Sequence, residues 1–285
     1  MSRGWAWLQH ALPKNLISAC VYRIARSRRT WVRRPLTRWF VRHYRVDLSE
    51  AAAPVDDYAC FNDFFTRALK TGSRPLAGDA STVVSPADGV LTEYGTIEAG
   101  RLLQAKGMTY TVSELLGEHG DAVRALDGGR FLTVYLAPHN YHRVHAPMEG
   151  ALTRTRYLPG ARYSVNRATA SSIERLFCRN ERAVCWFDSA CGPFAVVLVG
   201  ALNVSSLSTF NLGEIASGRT REWIEEAPVP VARGAEIGRF NMGSTVVLLF
   251  ARDALDWAAD LADGRTLKVG TALGQVRARV TGTVT

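Results

Sequence analysis

The apolar positions of this 285-residue chain follow a helical period near its start and a strand period from about residue 82. Leu16, Ile17, Cys20, Val21 and Ile24 fall three or four apart behind Pro13, which can open a helix, while Arg23 and Arg26 lie off that face. A second stretch sets Val32, Leu36, Trp39, Phe40 and Tyr44 at the same spacing, with Arg33, Arg34, Arg38, Arg42 and Arg45 around them. After a small-residue link from Ala51 to Pro54, Phe61-Asn62-Asp63-Phe64-Phe65-Thr66-Arg67 begins a short helix with Asn62 as its cap. Short β segments then alternate with Gly and Pro: Thr82 to Ser85, Gly89 to Tyr94, Phe131 to Leu136, Ala195 to Val199, Thr245 to Phe250 and Leu273 to Val280. Thr111 to Glu118 and Ala254 to Ala262 read as helical interruptions. The pattern predicts an α+β protein, with amphipathic N-terminal helices followed by a largely antiparallel β body.

With 47% apolar and 21% charged residues the chain is an ordinary globular protein, which excludes a disordered tail or a fibre. Its net charge of +9 is confined to one end: residues 1–46 hold ten Arg, one Lys and no acidic residue, leaving 24 basic against 26 acidic for the rest. Trp5, Trp7, Trp31 and Trp39 among those arginines suit an anionic membrane interface. No apolar run approaches the roughly 18 to 20 residues that span a bilayer, and the first residues lack the pattern of a signal peptide. The expected location is therefore peripheral, on the cytoplasmic face of the cell membrane. The alternative is that the helices pack on the body or on RNA, but no nucleic-acid-binding module follows them and no nucleic-acid partner is expected. The five cysteines, Cys20, Cys60, Cys178, Cys185 and Cys191, are odd in number and contain no Cys-x-x-Cys pair, which favours reduced thiols.

Three places carry reactive residues. Asp88 sits in the turn Ser85-Pro86-Ala87-Asp88-Gly89, where Asp-Gly is also a common structural pair. His139, His142 and His145 gather three of the six histidines within seven residues. Such spacing can converge on a metal, but the strand before the cluster and Pro147 after it argue against a helix, and no acidic or cysteine cluster accompanies it, so no metal is expected. Third, Gly243-Ser244-Thr245 presents a hydroxyl after a glycine between two apolar stretches. Asp88, His145 and Ser244 supply the residue types of a Ser-His-Asp arrangement: a base for the hydroxyl proton and a carboxylate to orient the imidazole. The Gly-x-Ser-x-Gly elbow of an α/β-hydrolase is absent. From these residues alone, a serine hydrolase acting at a membrane surface and a noncatalytic membrane-binding protein both remain open.

Six motifs stand in the order found in the bacterial, membrane-associated phosphatidylserine decarboxylases, which this chain resembles. They are Pro86-Ala87-Asp88-Gly89, Leu103-Gln104-Ala105-Lys106-Gly107, Tyr141-His142-Arg143-Val144-His145, Pro159-Gly160 with Ser164-Val165-Asn166, Asn180-Glu181-Arg182 and Gly243-Ser244-Thr245. Phe61-Asn62-Asp63-Phe64-Phe65 and the basic N-terminus are also similar, so the resemblance covers nearly the whole chain.

The resemblance implies a proenzyme that cuts itself between Gly243 and Ser244. Ser244 Oγ attacks the Gly243 carbonyl, with His145, oriented by Asp88, as the base. Elimination from the ester leaves a dehydroalanine that tautomerises, loses ammonia and becomes a pyruvoyl group on Ser244. The products are a β chain, residues 1–243, and an α chain, residues 244–285. A Schiff base between this cofactor and the serine amine of phosphatidylserine serves as the electron sink for loss of CO2, giving phosphatidylethanolamine. His142 matches the histidine assigned to decarboxylation as proton donor. The family also implies a homodimer, with residues 1–70 as a membrane-association region and 71–285 as the catalytic domain. His139, Tyr141 and Lys106 receive no role. Met242, Met108 and the Ser205-Ser206 pair depart from the family's usual residues; Met242 is expected to matter little because it is apolar and flexible.

Overall fold

Both arginine-rich stretches are helices, α1 (Lys14–Ala25) and α2 (Thr30–Tyr44), in the computed structural model. It describes residues 14–105, 107–201, 206–241 and 244–277, with 14–19, Arg167, Ala168 and Ser244 described by backbone alone. Trp5, Trp7, Lys106, Ser205, Met242, Gly243 and the end of the strand expected at Leu273 to Val280 thus lie outside the described residues. Among those described, no helix is long and apolar enough to cross a membrane. The apolar face of α2 buries Phe40, which meets helix α3 (Phe61–Phe65) with ring centroids 5.0 Å from Phe61, 5.8 Å from Phe65 and 6.4 Å from Phe64. The opposite face leaves Trp31 and Trp39 exposed by 72% and 54%. Asn62 does not cap α3. Cys60 holds that position without a side-chain bond, and the buried Asn62 amide is drawn instead to Asn241.

The body opens with β1 (Thr82–Val84), β2 (Gly89–Thr96), the hairpin β3 (Arg101–Ala105) and β4 (Met108–Thr111), and helices α4 (Val112–Leu116) and α5 (Asp121–Arg124). Strands β5 (Arg130–Leu136), β6 (Arg143–His145) and β7 (Gly150–Leu158) follow, then α6 (Arg167–Ala170) and α7 (Leu176–Arg179). The next strands are β8 (Arg182–Asp188), β9 (Phe194–Gly200), β10 (Ser206–Thr209), β11 (Gly213–Ile215), β12 (Arg221–Val231) and β13 (Glu236–Asn241). Last come β14 (Ser244–Phe250), β15 (Leu255–Trp257), β16 (Thr266–Leu267) and β17 (Ala272–Val276). An eight-stranded antiparallel sheet in the order β12-β7-β8-β9-β14-β5-β2-β16 forms the centre, and a four-stranded sheet in the order β11-β10-β13-β6 carries the histidine strand.

The predicted α+β class and antiparallel body are present. Strands β9 and β14 read as unbroken apolar runs because both faces are covered; every residue of β9 and Val246 to Phe250 of β14 are buried. Gly238 lets β13 cross close to β9: a Cβ there would stand 2.8 Å from Leu198 Cδ2. On another side, Thr111 and Glu114 close a capping box on α4, and the buried Arg182 of β8 donates to the carbonyls of Glu114 and Leu115 at 2.7 and 2.6 Å. One expected helix is absent. Residues 254–262 contribute β15 and turns, because Leu255–Trp257 pairs with β17 and this pairing overrides the helical propensity of the alanines.

Candidate active site

Ser244 opens the central strand β14, opposite Leu136 at the end of β5 and Gly200 at the end of β9. Beyond Leu136 the chain turns through Ala137 and Pro138, where Asn140 Oδ1 accepts the Ala137 N–H at 2.7 Å, and then reaches the histidines. Strand β6 pairs with β13, and Phe240 N donates to His142 O at 3.0 Å just before β13 runs into residues 242 and 243. Two independent connections, β5 to β6 and β13 to β14, therefore bring the backbone of Ser244 and the histidine segment to the same end of the sheet. The Gly243 carbonyl lies outside the described residues.

His145 has a defined tautomer. Its Nδ1 is 2.8 Å from the Gly234 carbonyl, which can only accept, so Nδ1 carries the hydrogen and Nε2 keeps its lone pair. Tyr141 Oη lies 3.1 Å from Nε2 and donates to it. Burial raises the Tyr141 pKa to about 12, so the phenol stays protonated. Burial also lowers the His145 pKa, the Gly234 bond offsetting part of this effect. The result is a neutral imidazole offering a basic Nε2.

The expected contact of Asp88 with His145 is not what the structure shows. Asp88 is buried and bonded to Arg74, with Nε to Oδ1 at 2.9 Å and Nη2 to Oδ2 at 2.5 Å, and it accepts Val269 N at 2.8 Å. Arg74 also reaches Glu50 at 2.8 Å, and Lys268 meets the same carboxylate at 3.2 Å. A guanidinium matches a carboxylate better than a single imidazole N–H does, and the Gly234 carbonyl takes over the orienting bond. The Asp88 turn still joins the His145 strand through Pro86 O, which accepts the His145 backbone N–H at 2.8 Å, and Glu236 and, less strongly, Asp88 raise the His145 pKa through space.

His142 is fully buried and stacked on Phe65, with ring centroids 4.0 Å apart and an interplanar angle of 19°. Its Nε2 donates to Pro138 O at 3.3 Å, and Nδ1 has no hydrogen-bond partner. Burial lowers its pKa to about 3 and the nearby Arg67 cation adds to this, so the ring is a neutral base at physiological pH. Arg67, itself buried, reaches His139 O at 3.4 Å through Nη2. His139, His142 and His145 thus have different surroundings, and among the described residues no group of three or more His, Cys, Asp or Glu is arranged to hold a metal. Both depressed histidines make acid destabilising. Above about pH 6.5 they are neutral in both states; below it the unfolded chain takes up protons that the fold refuses. His142 should therefore cost about 1.4 kcal/mol of stability per pH unit between about pH 6 and 4. Melts of the wild type and His142→Phe on a Ser244→Ala background check this: the difference in acid sensitivity between the two should vanish above pH 7.

Beside the step, a cavity of about 370 Å³ is lined by Thr245, Tyr135, Gln104, Ala105, Val165, Ala170 and Phe177, among others. Gln104 shapes it by donating to Ala170 O and Ile173 O at 2.8 and 2.7 Å and accepting Leu176 N at 2.8 Å. Asn180 ties Tyr163 O to Gly200 O, both at 2.8 Å, behind the residue that faces Ser244 in register. Three of the sequence motifs therefore build the walls. Tyr141, Phe65, Arg74 and the Gly234 carbonyl were not assigned from sequence. Tyr141 and Phe65 lie in quoted stretches and Arg74 lies outside them, whereas a backbone carbonyl leaves no side-chain signal.

The sequence model of the family described as phosphatidylserine decarboxylase matches residues 61–275. This chain belongs to the phosphatidylserine decarboxylase family. A second model, described as PSD, matches residues 5–45. Among similar proteins, the phosphatidylserine decarboxylase proenzyme of Azotobacter vinelandii is 46% identical over 274 residues, covering 94% of this chain and 96% of its own. That of Ectopseudomonas mendocina is 45% identical over 278 residues with the same coverage, and that of Methylococcus capsulatus is 44% identical over 278 residues, covering 96% of each chain. Membership makes the chain an enzyme of the carboxy-lyase class.

Proposed function

We propose that the protein cuts itself between Gly243 and Ser244 and uses a pyruvoyl group made from Ser244 to decarboxylate phosphatidylserine at a membrane surface. The observation that carries this reading is the tautomer of His145, a neutral base whose unprotonated Nε2 meets only the Tyr141 hydroxyl, at the end of the sheet where β14 begins. His145 takes the Ser244 hydroxyl proton at Nε2, directly or through Tyr141 Oη, as Oγ attacks the Gly243 carbonyl. The Gly234 carbonyl holds the ring, and Asp88 favours the imidazolium through space. Two features are compatible with a carbonyl group at residue 244: a cavity lined by the adjacent Thr245 has room for a polar head, and the histidine segment at that end of the sheet holds a buried base, the uncommitted His142 Nδ1.

Such a pyruvoyl group supplies the electron sink that loss of CO2 from an α-amino acid requires. His142 is assigned the return of a proton to Cα once CO2 has left; since burial keeps its resting form neutral, it must first take up that proton, at its unpartnered Nδ1. The chains stay together after the cut. Strand β14 remains between β9 and β5, where Val246 to Phe250 are buried at about 1.5–3 kcal/mol each, and Val269 of the small chain still holds Asp88. Family likeness extends the proposal to a homodimer of processed protomers.

Docking falls to the exposed side of α1 and α2, where a groove of about 630 Å³ is lined by Arg34, Pro35, Arg38, Trp39, Arg42 and His43. Removing residues 1–46 would also strip Phe40 from α3, so point changes test docking more cleanly. Ile24→Glu, Trp31→Ala and Trp39→Ala combined should reduce binding to anionic liposomes at least about tenfold while self-cleavage proceeds; unchanged flotation contradicts the assignment. For the reaction itself, CO2 release from phosphatidylserine vesicles should be abolished by phenylhydrazine, which blocks a carbonyl. Release that persists in the reagent, or no release at all, overturns the reading.

A further inference from the structure

Helix α3 falls within the 1–70 region that the family resemblance assigns to membrane association, yet it and the two residues after it touch both the histidine segment and the end of β13. Asn62 Nδ2 donates to Asn241 Oδ1 at 3.0 Å, and Asn241 Nδ2 donates to Ser206 Oγ at 2.8 Å and Ser208 Oγ at 3.1 Å. Phe65 stacks on His142, and Thr66 O accepts Arg143 Nε at 2.9 Å. The opposite side of the helix packs on Phe40 of α2.

Asn241 ends β13 and stands two residues before Gly243. Asn62, Asn241 and Ser206 are all buried, and Asn62 Oδ1 has no hydrogen-bond partner, so one acceptor remains uncommitted in a cluster that borders the scissile step. Apolar side chains would hold three segments together without desolvating amides. What an amide ladder adds is direction: it fixes the rotation and reach of the strand end. Attack by Ser244 on its own neighbouring carbonyl demands this, because the reacting atoms must be held about 3 to 3.5 Å apart and in line.

We propose that Asn62 is a positioning residue for self-cleavage. Through Asn241 it sets the end of β13, the strand that leads in sequence to the Gly243–Ser244 step. Maturation thereby depends on how α3 is seated against α2. This rests on the reading that the chain cuts itself at this step, and it is separate from decarboxylation, which uses His142 packed on Phe65, three residues along α3 from Asn62.

The test follows the cutting of full-length proenzyme made by cell-free synthesis, with melting of the uncut form measured on a Ser244→Ala background. Asn62→Leu, similar in size but without polar atoms, should cut about tenfold or more slowly. Asn241→Asp can still accept from Asn62 and from both serine hydroxyls, so it should cut faster than Asn62→Leu. The double variant Asn62→Leu/Asn241→Leu should be no slower than the slower single, because the two act as one unit. Once cut, Asn62→Leu should decarboxylate with wild-type kcat and KM per pyruvoyl. Asn62→Ala, which only removes atoms, is read in the same way should the leucine variant not fold. Wild-type cutting by the Asn62 variants, or equal slowing in Asn62→Leu and Asn241→Asp, overturns this proposal alone. A wild type that never cuts overturns the self-cleavage reading and this proposal with it.

Discussion

His145→Ala is expected to accumulate as a folded, uncut chain, with self-cleavage slowed by about 10² to 10⁴-fold, the range that a positioned general base supplies. Nε2 is basic because Nδ1 is committed to Gly234 O at 2.8 Å, and Tyr141, held protonated, cannot replace it as the base. The fold should survive: the change orphans one carbonyl and one phenol, a cost of about 1–3 kcal/mol each. Asp88→Asn should behave differently. It keeps one oxygen acceptor but removes the charge facing Arg74, which Glu50 still meets at 2.8 Å, so stability should fall by about 1–3 kcal/mol while cutting slows less than in His145→Ala. Pulse-chase of chain cutting alongside thermal melts separates the two. Equal slowing with no loss of stability in Asp88→Asn would show that the carboxylate acts directly on His145.

The second large effect belongs to His142. His142→Ala should mature into two chains and yet decarboxylate about 10² to 10⁴-fold more slowly, with kcat carrying the loss. Its Nδ1 is a buried base without a partner, and nothing in the His145 arrangement depends on it. Part of the loss could come from Phe65 collapsing into the space of the ring, so His142→Phe, which keeps an aromatic stack, is the companion variant. Both should be cut and both inactive. A cut His142→Phe enzyme with wild-type turnover would remove His142 from the chemistry.

Much of this arrangement was legible before the coordinates. The helical spacing of Val32 to Tyr44, the apolar runs of β9 and β14, and the histidine cluster between strands follow from local pattern, and their elements stand near where the pattern put them. Strands β7 and β12 escaped notice because their Thr, Arg, Glu and Pro residues interrupt the apolar alternation, and pairing with neighbours makes them strands nonetheless. The site was legible as residue types and not as bonds. Asp88, His142, His145 and Ser244 could be picked out by chemistry, but which acceptor orients His145 is decided by a carbonyl 89 residues away in the chain. Likewise Asn62 looked like a cap because capping is the local use of asparagine. Only the fold brings Asn241, 179 residues away, within its reach.

The most direct measurement is the intact mass of the purified wild type beside Ser244→Ala. The wild type should give two polypeptides, residues 1–243 with a free carboxyl terminus and a fragment of residues 244–285 lighter by one ammonia than the simple peptide, while Ser244→Ala gives one full-length mass. A folded wild type that keeps its full-length mass, or a small fragment with an intact N-terminal serine, would contradict the account.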